Sequence, residues 1–83
     1  MTEEQEPVQD IAAQVAAIEA EVADFAARKE AAEQRARELM AAEDHKAGVS
    51  HAQAIFAAKQ EKLMLDTEME LAKRRKNRLL QPS

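Results

Sequence analysis

The chain has no cysteine, one glycine and two prolines, and its only aromatics are two phenylalanines. Each shortage excludes something. Without cysteine there is no disulfide and no thiolate metal site. One glycine and two prolines are too few to build the turns of a sheet protein. No apolar run is longer than AIFAA at 54–58, far short of the ~20 apolar residues that cross a bilayer. The opening MTEEQEP is acidic and lacks the basic and apolar regions of a secretory signal. The expectation is a soluble cytoplasmic protein, or a virion-associated one if a bacteriophage encodes it.

What fills the chain instead is helix-forming vocabulary. Alanine supplies 19 of the 83 residues, and most of the rest are Glu, Gln, Lys, Arg, Leu and Met. At this length the chain is one small domain with a thin core, which often needs an oligomer for support. The net charge of −4 conceals a gradient. Residues 1–24 hold seven acids and no base, 25–50 hold five of each, and 51–83 hold seven bases against four acids. Such a gradient serves either a partner or an internal electrostatic match.

Apolar residues fall at Val8, Ile11, Val15, Ile18, Val22 and Phe25, alternately three and four apart. This is a heptad seam, continued by Lys29, Ala32, Ala36 and Leu39 as it thins. Pro7 suits the first turn of a helix, and Glu3, Glu4, Glu6 and Asp10 suit the positive end of its dipole. Gly48 supplies a left-handed stop after His45 and Lys46, and Ser50 with Gln53 reads as a capping box starting a second helix. Pro82 disfavours helical geometry at Gln81 and ends it. The chain thus divides into an acidic arm (1–6), a first helix (7–47), a turn (48–49), a second helix with a basic end (50–80) and a tail (81–83). The fold class is all-α, a two-helix antiparallel coiled-coil hairpin.

With the turn centred on Gly48–Val49, residue i meets residue 97−i. Phe25 then faces Ala72, Ala32 faces Leu65, Leu39 faces Ala58, and Ile18 faces Leu79, mostly large against small. The run KRRKNR lies beside Glu19, Glu21 and Asp24. Lys73, Arg74, Arg75, Lys76 and Arg78 are therefore expected to clasp the hairpin, with nucleic-acid contact as their alternative role. Lys29 and Lys62 at seam positions are accommodated by their long stems.

Two sets of residues are expected to be left without intramolecular partners. Val8, Ile11 and Val15 overhang the end of the second helix. Phe56, Leu63, Met64 and Leu71 form a second apolar strip turned away from the stripe of Ile55, Ala58, Leu65, Met69 and Ala72. Both sets are candidate partner-binding surfaces, for a homodimer packed as a four-helix bundle or for another protein.

Catalytic signatures are missing. His45 and His51 are separated by a helix break and match no ligand motif, so no metal is expected. There is no Gly-rich phosphate loop, nucleophile elbow or H-E-x-x-H. Two helices enclose no substrate cavity, so no enzyme, cofactor or small-molecule substrate is expected.

In architecture alone, a dimerising helical hairpin resembles the Rop-type RNA-binding bundles of plasmids. The segment KQEKLMLDTEM (59–69) is loosely similar to the second helix of YdcH-like bacterial hairpins, with no counterpart to helix one and no site to carry over. The acidic balance and the lack of a stacking aromatic weigh against nucleic acid. The reading is a non-enzymatic protein–protein interaction module: an adaptor, a small inhibitor or an assembly and scaffolding factor, of bacterial or bacteriophage type. Its alternative is a small nucleic-acid-binding regulator using the basic helix end.

Overall fold

The computed structural model describes residues 7–82, with side chains from Ile11 onward. The acidic arm, Val8's side chain and the carboxylate of Asp10 lie outside the described residues. Helix α1 runs Pro7–Ala42 and helix α2 runs Ala52–Leu80, 36 and 29 residues, packed antiparallel. At ~1.5 Å per residue they are about 54 and 43 Å long. The molecule extends over 70 × 24 × 14 Å, so it is a single layer of two helices.

The connection differs from the expected two-residue turn. α1 stops at Ala42, five residues before Ala47, because Asp44 offers the backbone better partners than a further helical turn would. Asp44 and Val49 exchange N–H to carbonyl hydrogen bonds at 3.0 and 2.8 Å. The Asp44 carboxylate accepts from the N–H groups of Lys46 and Ala47 at 3.1 and 3.2 Å. Gly48 closes the loop with φ of +75°, the left-handed geometry glycine adopts at least cost. This glycine therefore ends the turn, whereas the expectation had it end the helix.

The capping box also differs. α2 begins at Ala52, and Ser50 Oγ accepts only from the Ala52 N–H at 3.3 Å. The group that reaches across is Glu43, whose carboxylate accepts the His51 N–H at 3.0 Å. At the far end α2 stops at Leu80, with Gln81 extended before Pro82.

Crossed ion pairs set the register. Glu19–Lys76, Lys29–Asp66 and Glu33–Lys62 each total 95 in residue number, while Glu21–Arg75 and Arg35–Glu61 total 96. In an antiparallel pair, residues flanking the seam reach a neighbour one or two positions beyond their own level. Level residues therefore total 94, as Glu43 and His51 do at the turn, three short of the expected 97. The earlier helix stop moves the centre of the turn by one and a half residues and slides the whole pairing.

In this register Lys29 is level with Leu65, Lys62 with Ala32, and Lys76 with Ile18. All three apolar residues are buried, Ala32 fully. Each lysine starts level with one of them and carries its ammonium to the next acid along, at 2.8 Å (Asp66), 3.5 Å (Glu33) and 2.9 Å (Glu19). The remaining buried residues are Ala36 level with Ala58, and Ala72 beneath the half-buried Val22. Among the described residues four of the six that are buried are alanines, small enough for the helices to approach closely with the lysine stems alongside.

Candidate functional site

α2 carries apolar residues on two opposite faces. One face holds Ala58, Leu65 and Ala72 against α1. At 100° per residue, Phe56 and Leu63 lie about 160–180° from the middle of that face, and Met64 and Leu71 lie about 100–120° from it on the other side. Nothing in the described chain covers them. Phe56 is 63% exposed, Leu63 58%, Met64 54% and Leu71 47%. The two phenylalanines thus have different fates: Phe25 is half-buried beside the seam with the Arg28 guanidinium 5.8 Å from its ring centre, and Phe56 faces outward.

The overhang is shorter than the sequence implied. With level residues totalling 94, Val15 stands opposite Leu79, and both are half-buried. Ile11 lies beyond the end of α2 and is 37% exposed. Met40 and Leu80, which the heptad reading passed over, are also exposed. Met40 and Leu63 stand on opposite lips of a shallow open groove whose floor is Ala32, Ala36 and Ala58. The signal for Met40 was its place directly after Leu39, at the edge of the seam as the stripe thins to alanine.

The basic run is split between two environments. Arg75 pairs with Glu21 at 2.8 Å and Lys76 with Glu19 at 2.9 Å, both across the helices. Asp24 was the third expected clasp acid; it turns instead to Arg28 on its own helix at 3.5 Å. Among the described residues Lys73, Arg74 and Arg78 have no acidic partner. Arg74 and Arg78 continue the line of the outer strip beyond Leu71, so that face passes from apolar to cationic towards its C-terminal end.

The Asp66 carboxylate raises the pKa of Lys29 by hydrogen bonding and by its charge, and Lys29 in turn holds Asp66 below the usual carboxylate range. Both groups are solvated, so the pair serves register more than reactivity. His45 Nε2 lies 3.9 Å from Glu43 and is largely exposed. Among the described residues no cluster of three or more His, Asp or Glu is placed to hold a metal, and no helix is long and apolar enough to cross a membrane.

Compared with known proteins, the chain matches no family model, no curated protein and no solved structure.

Proposed function

We propose that the protein is a non-catalytic helical-hairpin interaction module that docks a helix of another polypeptide chain on the outer face of α2. The observation that carries this reading is the exposure of Phe56, Leu63, Met64 and Leu71 together, on the side of α2 opposite its core. Contiguous exposed apolar surface favours association. Scattered single residues would not. A helix with two opposite apolar faces also belongs in the middle of a layer, with α1 on one side and a third helix on the other. That position favours an extended layer over a square four-helix bundle, whose helices each bury two adjacent faces. A scaffolding or adaptor role suits such a module, because it adds surface and supplies no chemistry.

The test is a double substitution on the outer face, Phe56→Ser with Leu63→Gln. Neither side chain lies on the seam, so circular dichroism should show an intact hairpin. Burying an apolar side chain contributes roughly 1.5–3 kcal/mol, so losing two should weaken association tens of times or more. Sedimentation and affinity capture with the variant and the native chain side by side would read it. Undiminished association of the variant with every partner the native chain holds would sink the proposal.

A second reading rests on Lys73, Arg74 and Arg78, whose lack of an acidic partner suits contact with phosphates. Binding of that kind would fall steeply with salt. Binding through the apolar strip would not.

A further inference from the structure

We infer that the helix received by the outer face of α2 is the same α2 of a second copy, laid antiparallel, with the twofold axis passing between Leu63 and Met64. The inference rests on the docking reading above and names its occupant. Between α1 and α2, level residues share one total, and ion pairs on one flank exceed it by two, as Glu21–Arg75 and Arg35–Glu61 do.

The same rule can be applied to α2 against its copy. If level residues total 127, Phe56 meets Leu71 of the second copy and Leu63 meets Met64 of the second copy, each reciprocally. Gln60 meets Thr67 of the second copy between them. Every exposed large apolar residue of the strip then faces another, and the two intervening polar residues face each other. The flank that corresponds to the hairpin's ion pairs should hold residues totalling 129, and there Lys59 meets Glu70 of the second copy, twice by symmetry. Among the described residues neither Lys59 nor Glu70 has an ion-pair partner within the chain. The opposite flank brings Glu68 to Ala57 of the second copy, with no like charges opposed.

Charge also selects the direction. A parallel pairing would set Arg74 against Arg74 and Arg78 against Arg78 at one end, a repulsion that antiparallel pairing avoids. Laid antiparallel, Arg74 is level with Gln53 and Arg78 with Val49 of the second copy. They then lie at the turn that carries Glu43 and Asp44. The strip spans residues 56–71, about 24 Å of helix, which is narrow beside a standard interface of about 800 Å² per partner. The dimer is therefore a reversible one, forming over about 1–100 μM.

Two measurements on the full chain test this. The protein has no cysteine, so introduced thiols report without background. Facing helices about 8–10 Å apart bring level inward positions within disulfide reach, whereas seven residues of offset add about 10 Å. Mixing Gln60→Cys with Thr67→Cys should therefore give a cross-linked dimer at least tenfold faster than either variant alone. Separately, Lys59→Glu should weaken self-association several-fold at low salt, and adding Glu70→Lys should restore it. Gln60→Cys cross-linking alone as fast as the mixture would overturn the antiparallel register, as would charge variants that leave association unchanged. A chain that sediments as a monomer throughout this range would overturn the second copy as occupant. The docking reading itself would still stand or fall on whether Phe56→Ser with Leu63→Gln loses a captured partner.

Discussion

Gly48 is the one described residue with a positive φ, at +75°, and a Cβ built there would have no atom within 4 Å. Any cost of substitution is therefore backbone strain, free of steric crowding. Gly48→Val should lose roughly 1–2 kcal/mol, read as a fall of several degrees in melting temperature, while Gly48→Asn should lose less. An unchanged melt for the valine variant would mean the turn relaxes to another geometry. The lysines of the seam make a different kind of claim. Lys62 is level with the fully buried Ala32, and its ammonium reaches Glu33 at 3.5 Å. If its stem is the larger contribution, Lys62→Met should keep most of the stability while Lys62→Ala should lose about 1 kcal/mol. Equal losses in the two variants would assign the effect to charge instead. Gly48's conformation was legible in the sequence because a lone glycine between two helical patterns has few other uses. Asp44's role was not, since an aspartate six residues before a capping-box motif gives no local sign that it will take over the turn.

The two helices themselves were legible from periodicity and from the scarcity of breakers. Their relative register was not. Large-against-small pairing pointed to a total of 97, yet the observed total of 94 sets Ala36 against Ala58 and Val15 against Leu79, so apolar pattern alone chose wrongly. Charge chooses, because only the shorter total brings three seam lysines each beside an acid. Five crossed ion pairs follow, with acids on α1 and bases on α2 at one end and mixed signs towards the turn. Each is exposed and contributes about 0–1 kcal/mol, so their weight lies in number and in specifying which way the helices run. Reversing Arg75 and Lys76 to Glu should lower the melting temperature at low salt, and salt should shrink the difference. Adding Glu19→Lys and Glu21→Lys should restore part of the loss. Substituting Asp24 as well should add nothing, because its partner is Arg28 on the same helix. Rescue that needs Asp24 would place the helices in the longer register.

A layer of two helices whose buried residues are mostly alanine removes little apolar surface from water, and among the described residues its largest fully buried side chain is one leucine, Leu65. At the same time the outer strip leaves four large apolar side chains in solvent. The apolar surface this chain has in reserve therefore lies outside its own core, and association is the means by which it becomes buried. Anything that binds the folded form and not the unfolded chain raises stability by mass action. If the strip is covered by a second copy, melting temperature must depend on protein concentration. Where association is near half-saturation, a hundredfold rise in concentration contributes up to about 2.7 kcal/mol per dimer. Shared between two small domains, that should raise the melting temperature by roughly 5 °C or more. Phe56→Ser with Leu63→Gln should abolish the dependence and leave the dilute-limit melting temperature close to where it was, since Phe56 faces away from the seam and Leu63 only edges its groove. Melts at about 2 and 200 μM, native and variant, decide the matter in four curves. A native melt that ignores concentration would show that the lysine-covered alanine seam holds the hairpin alone. A variant that melts lower even at dilution would show that the strip is part of the hairpin's own support.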